Sequence, residues 1–172
     1  MLFKILGGTV IIICTTIIGF ERAARLERRK RSLEEFIASL TMLESEICYL
    51  SNPLQTAFAS IGSAFDSYVG RFLTDFSQML HTDEYDISKC WADTLEGHCK
   101  AMCLDSTDIE HITSFAVRLG KTDKDGQIKN ITHHKARAEV QLAQANEVCG
   151  KNKKMYQSFG MLAGILIVIL LG

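Results

Sequence analysis

Residues 32–50 read SLEEFIASLTMLESEICYL. Leu33, Phe36, Ile37, Leu40, Leu43, Ile47 and Leu50 recur at steps of three and four, while Glu34, Glu35, Glu44 and Glu46 fall mostly on the other side. That period is the helical one, and it gives one apolar face and one solvated face. Nowhere do Val, Ile, Thr and aromatics alternate with polar residues as a half-buried strand requires, and no Asn-Gly pair joins two apolar runs. The expected fold class is all-α.

Upstream, ERAARLERRKR (21–31) continues without a helix breaker into ILGGTVIIICTTIIGF (5–20), 16 residues without a charge. With residues 1–4, whose Lys4 can snorkel, this run reaches 20 residues and is long enough for a helix to cross ~30 Å of hydrocarbon. Downstream, Pro53 suits the first turn of a helix that Ser51 or Asn52 caps, with Leu54, Ala57, Phe58 and Ile61 as its apolar face. Phe65, Tyr68, Val69, Phe72, Leu73, Phe76 and Leu80 outline a third helix, HTDEYD (81–86) a polar turn, and Ile87, Trp91 and Leu95 a fourth helix. A fifth, capped by Ser106 or Thr107, carries Ile109, Ile112, Phe115, Ala116 and Leu119 and stops at Gly120. The last starts near Gly126 and carries Ile128, Ile131, Ala138, Leu142, Ala145 and Cys149, with a gap near Lys135, before running into the apolar residues 155–172. The organisation expected is a transmembrane helix (1–20), a bundle of about six helices (21–154) and a second transmembrane helix (155–172).

Charge is distributed unevenly. Residues 32–134 hold 7 Lys or Arg against 16 Asp or Glu, a net of −9, whereas 21–31 carry +4 and 135–154 carry +3. An acidic body repels phosphate backbones, which argues against nucleic acid as a partner. Arg22, Arg25, Arg28 and Arg29 beside the first apolar run, and Lys151, Lys153, Lys154 and Tyr156 beside the second, are the expected membrane-interface residues, facing an anionic lipid membrane. Basic residues concentrate on the cytoplasmic side of spans, so the loop domain is expected in the cytoplasm.

Residues with chemistry to offer are few. Cys99 and Cys103 are spaced one helical turn apart with His98 adjacent, a two-ligand corner without the second ligand pair of a zinc site. Small, partly buried thiols are the simpler reading of the six cysteines, and a metal or small-ligand sensor is the alternative function. KTDKDGQI (121–128) resembles part of a calcium loop, but with Gly126 at the sixth position Lys121 and Thr132 occupy the first and twelfth, where carboxylates are required. A helix-start turn fits it better. His133 and His134 are neighbours on a helix, point in different directions, and read as surface histidines. Without a phosphate loop, a nucleophile elbow or a carboxylate pair, no enzymatic activity, cofactor or metal is expected.

GFERAARLERR (19–29), LESEICYLSNPLQTAFASIG (43–62), the lone Trp91, LGKTDKDGQIKNI (119–131) and KMYQSFGMLAGILIVILLG (154–172) together resemble the stage III sporulation protein AB family. Pro53, Leu54, Ala57, Phe58 and Trp91 are then structural-motif residues. The resemblance implies a place in the complex that joins mother cell and forespore during engulfment, in the mother-cell membrane around the forespore. It also implies likeness to the inner-membrane platform protein of type II secretion and type IV pilus systems. A secretion-type ATPase and other membrane proteins of that complex are the implied partners.

Overall fold

A computed structural model describes residues 2–50, 53–80 and 86–171. It contains α1 (Leu2–Ser45) closing in a π-helical turn (Glu46–Leu50), α2 (Leu54–Ser63), α3 (Tyr68–Met79), α4 (Ile87–Met102), α5 (Ser106–Phe115) and α6 (Lys124–Leu171). No strand occurs among the described residues, so the fold is all-α. The chain divides into two compact units, Arg31–Ala143 and Met1–Lys30 with Gln144–Gly172.

The core of the Arg31–Ala143 unit is built around Trp91, which is fully buried. Four phenylalanines surround it: Phe72 and Phe76 with ring centroids at 4.7 and 4.8 Å, Phe115 at 5.5 Å and Phe58 at 5.7 Å. Offset and edge-on aromatic contacts of this kind add stabilisation beyond their buried area. The indole N–H donates to the Ile112 carbonyl at 2.8 Å, so the one polar atom of the side chain is satisfied. Leu33, Phe36, Leu40 and Leu43 of α1 are buried as their spacing predicts, and Ile37 and Ile47 pack at the core's edge. Leu50 lies outside the described side chains.

Helix starts follow from short polar side chains. Ser67 accepts from the Gly70 amide at the head of α3, and Asp86 from the Ser88 amide at the head of α4. Pro53 stands immediately before α2, its carbonyl accepting from the Ala57 amide, while Ser51, Asn52 and the turn 81–85 lie outside the described residues. The cap of α5 is neither Ser106 nor Thr107. Asp105 and Asp108 close a reciprocal capping box, each carboxylate accepting the other residue's amide, at 2.9 and 3.1 Å. α5 ends at Phe115, before Gly120, which instead supplies a left-handed turn with φ +73°. α6 starts at Lys124, with Asp123 accepting from the Gly126 amide at 3.1 Å. α4 stops at Met102, and Cys103 adopts a left-handed conformation. Cys99 and Cys103 are therefore not successive residues of one helical face.

In the other unit, the N-terminal part of α1 pairs with the C-terminal part of α6. Gly8 meets Val168, Thr15 meets Gly164 and Gly160, Gly19 meets Gly160 and Tyr156, and Glu27 meets Lys153. One number rises as the other falls, so the two helices run antiparallel. The backbones touch at the glycines: a Cβ on Gly160 would lie 2.8 Å from the Thr15 carbonyl oxygen and 3.0 Å from the Gly19 Cα. Among the described residues no helix is long and apolar enough to cross a membrane. The transmembrane helices expected at 1–20 and 155–172 therefore find no support in the structure.

Candidate functional site

The buried stripe of α6 in the Arg31–Ala143 unit alternates apolar and polar residues: Gln127, Asn130, Ile131, His134, Ala138 and Gln141. Each polar member is held by α5 or the turn after it. The Gln127 amide donates to the Arg118 carbonyl at 3.1 Å, and the Asn130 amide to the Phe115 carbonyl at 3.2 Å. Phe115 ends its helix, where carbonyls lack intrahelical partners, so Asn130 satisfies one of them. The stripe thus supplies donors to carbonyls at the end of α5 and the turn after it, while its own Gln127 Oε1 is buried without a hydrogen-bond partner.

Two histidines continue this seam. His111 of α5 and His134 of α6 are both buried, with stacked rings and 3.0 Å between His134 Nδ1 and His111 Nε2. Their proton positions follow from the far end of the chain of bonds. Gln141 donates through Nε2 to the Thr107 carbonyl at 3.1 Å, which leaves its Oε1 facing His111 Nδ1 at 3.0 Å. An amide oxygen only accepts, so His111 carries its proton on Nδ1 and its Nε2 is bare. His134 must then donate from Nδ1, which leaves its own Nε2 as an acceptor. Burial first, and then electrostatic interaction with His111, His133, Arg137 and Arg118, pushes the His134 imidazole down to about 4. His111 is also lowered, chiefly by burial, against the hydrogen bond from Gln141 and the nearby Asp108, which act the other way. Both rings are neutral near pH 7.

His134 borders a cleft of about 570 Å³ whose other lining residues include Ser114, Arg118, Lys129, Asn130, His133 and Arg137. None of the lining residues is acidic. The expectation that His133 and His134 are both surface residues holds for His133 and fails for His134, because a partner 23 residues away accepts its proton. The gap noticed near Lys135 is the available signal. His134 and Gln141 stand at the helical positions between Ile131, Ala138 and Ala145 that an apolar stripe would fill.

The residues singled out as membrane-interface positions all fall in the other unit. Arg22, Arg25 and Tyr156 line a hollow with Ile18, Glu21 and Leu26. Arg25 pairs with Glu21 at 2.9 Å, Lys153 with Glu27 at 2.8 Å, and Lys151 with Glu147. The Lys153 ammonium, and then the Cys149 thiol 3.6 Å away, hold the Glu27 carboxyl below its usual range. In return Glu27 raises Lys153, and burial with Glu27 raises the Cys149 thiol. Arg28 and Lys154 are exposed and Arg29 is half-buried. Pro53, Leu54, Ala57, Phe58 and Trp91 belong to the Arg31–Ala143 unit, where Ala57, Phe58 and Trp91 are core. Among the described residues no three His, Cys, Asp or Glu side chains converge to hold a metal ion, and His98 is engaged with Asp75 at 2.9 Å.

The family model described as Stage III sporulation protein AB matches residues 4–172. Stage III sporulation protein AB of Bacillus subtilis (strain 168) is 32% identical over 170 residues, 99% of either chain. A solved structure of Stage III sporulation protein AB is similar with a TM-score of 0.66 at 26% identity, covering 72% of this chain and 97% of that one. Sequence likeness along nearly the whole length, on the same helical fold, means that the chain belongs to the stage III sporulation protein AB family.

Proposed function

We propose that this sporulation protein is a non-enzymatic scaffold in the secretion-like channel complex between mother cell and forespore. Its helical Arg31–Ala143 unit acts in the cytoplasm as a platform for a secretion-type ATPase, and its terminal helices are held in the mother-cell membrane. One observation carries the membrane part of this reading. On the paired ends of α1 and α6, the side chains pointing away from the glycine seam are large and apolar: Ile17, Phe20, Phe159, Leu162, Leu166 and Ile169 are all more than half exposed. Water is a poor solvent for such a surface, and lipid tails are a good one. Small residues that bring two backbones into contact are also the packing that associates helices in lipid. The hairpin can enter the bilayer from one side without either helix crossing it alone, its basic flanks meeting the head groups.

The platform part is supported by charge and family. The Arg31–Ala143 unit has 10 Lys or Arg against 17 Asp or Glu, an acidic surface that can steer a basic partner. The test is capture of the secretion-type ATPase by the full-length chain in maltoside, with and without reversal of the exposed acidic residues Glu34, Glu96 and Glu110. The platform reading expects capture by the native chain and its loss in the reversed one. Absence of capture by the native chain would remove the reading. The alternative, a membrane-tethered metal or small-ligand sensor at Cys99 and Cys103, gains no geometric support from a Cys103 that has left its helix.

A further inference from the structure

We propose that the cleft between α5 and α6 is a binding site for a phosphate-bearing anion, held by Arg118, Lys129 and Arg137 and read at its floor by His134. In a unit with a net charge of −7, three of the ten cations border one hollow that has no acid in its lining. None of the three forms an ion pair among the described residues. Cations on an acidic protein ordinarily find carboxylates. Three that do not, converging from the turn after α5 and from two turns of α6, leave a local positive field that an anion neutralises.

The chemistry of the anion follows from the donors and from the single acceptor. Two guanidinium groups match the paired oxygens of a phosphate, and three positive charges exceed what one carboxylate compensates. A volume of about 570 Å³ suits a small ligand, and Val117 is the one apolar side chain lining it. The charged group, with no stacked ring, is therefore what the cleft grips. Ser114 already donates its hydroxyl proton to the His111 carbonyl at 2.7 Å, and Asn130 donates to Phe115. The distinguishing atom is His134 Nε2. Its partner nitrogen is committed to His111, it has no protein hydrogen bond, and it is not sealed from solvent. As a bare lone pair among cations it accepts a P–OH proton. Phosphate near neutral pH keeps such a proton, while sulfate has none and would set two acceptors against each other.

Several charged and titratable groups act on His134. His133 and Arg137 come from its own helix, Arg118 from the turn after α5, and His111 from α5, with Asp108 behind His111. All but Asp108 are positive or can become so. A bound anion opposes them and moves the His134 titration upward.

The test uses the full-length chain in maltoside, titrated calorimetrically with inorganic phosphate, pyrophosphate and sulfate at matched ionic strength. The His134 ring protons are followed by NMR, with each ligand and without. Saturable binding of phosphate or pyrophosphate is expected below about 10 mM, at least about tenfold tighter than sulfate. His134 should titrate at higher pH when the ligand is bound. Arg137→Gln and Lys129→Gln alter exposed residues, so the fold should persist, shown by unchanged near-UV dichroism of Trp91. Each should weaken binding at least about tenfold. A short-chain phosphatidic acid in the same maltoside separates the two sources of the phosphate. Binding of the lipid alone makes the ligand a head group, binding of the free anion makes it a soluble phosphate, and both uphold the site. Four results would overturn it: no saturable binding, sulfate bound as tightly as phosphate, a His134 titration unmoved by ligand, or an oligoglutamate peptide that competes on equal terms.

Discussion

His134 shows how a single titrating group ties the fold to pH. Its imidazole is neutral in the folded chain down to about 4, whereas in the unfolded chain it protonates near 6.5. Between those values the unfolded state binds the extra proton, so this contribution to stability is complete above about 6.5 and is lost as pH falls toward 4. At ~1.36 kcal/mol per pH unit, the full loss is on the order of 3 kcal/mol, and the lowered His111 adds in the same direction. His134→Asn keeps an amide N–H near the position of Nδ1 for His111 Nε2 and removes the titration. Urea unfolding of the full-length chain in maltoside should therefore show a steep fall in midpoint between pH 6.5 and 4 for the native protein and a shallower one for the variant. Equal slopes would place the proton elsewhere. Apart from the gap in the apolar stripe near Lys135, nothing in the sequence around His134 marks it as buried, because a polar residue at a core position is tolerable only when a partner satisfies it. Here the partners are His111 and, through it, Gln141 and Thr107, whose placement is decided by how α5 folds back on α6.

At the scale of elements, apolar periodicity was legible wherever helices bury hydrocarbon. The face Leu33, Phe36, Leu40 and Leu43, and the ring of phenylalanines about Trp91, follow directly from three-and-four spacing. It was silent on α6, where the buried stripe is half polar, and on the true cap of α5, since Asp105 and Asp108 act as a pair and not as one residue. Glycine was the other silent signal. Gly160 and Gly164 with Thr15 and Gly19 are a small-residue pattern on two distant segments, meaningful only once the helices are known to be antiparallel neighbours. Because a Cβ at Gly160 would meet backbone atoms at 2.8–3.0 Å, Gly160→Leu has no flexible side chain to push aside and must separate the helices. Gly150 is open on all sides, with no atom within 4 Å of an added Cβ, so Gly150→Leu is the matched control. Disulfide cross-linking of a Gly8→Cys, Val168→Cys pair in membranes, whose Cβ atoms would lie 3.8 Å apart, with the native cysteines replaced, should fall several-fold with Gly160→Leu and stay level with Gly150→Leu. Equal cross-linking in both would show that the seam does not depend on glycine.

Over the whole molecule, the native cysteines offer a direct reading of where each unit resides. Cys14 lies among the apolar residues of α1 and is exposed on the protein surface, while Cys99 and Cys103, at the end of α4 in the acidic unit, are half-buried. In water alone, the more exposed thiol reacts faster, since access and thiolate fraction set the rate. Lipid around the terminal helices reverses that order, because neither a thiolate nor a charged reagent enters hydrocarbon. With a charged maleimide on sealed inverted vesicles, the proposed arrangement expects Cys99 and Cys103 to be modified and Cys14 spared, and all three to react once the membranes are dissolved in denaturing detergent. Right-side-out spheroplasts should protect all three, because the acidic unit then faces the closed interior. Mass spectrometry of the labelled peptides distinguishes the positions. If Cys14 reacts in intact vesicles at least as fast as Cys99, the apolar sheath of α1 and α6 is covered by something other than lipid, and the basic flanks at Arg22 and Lys154 need another partner than anionic head groups.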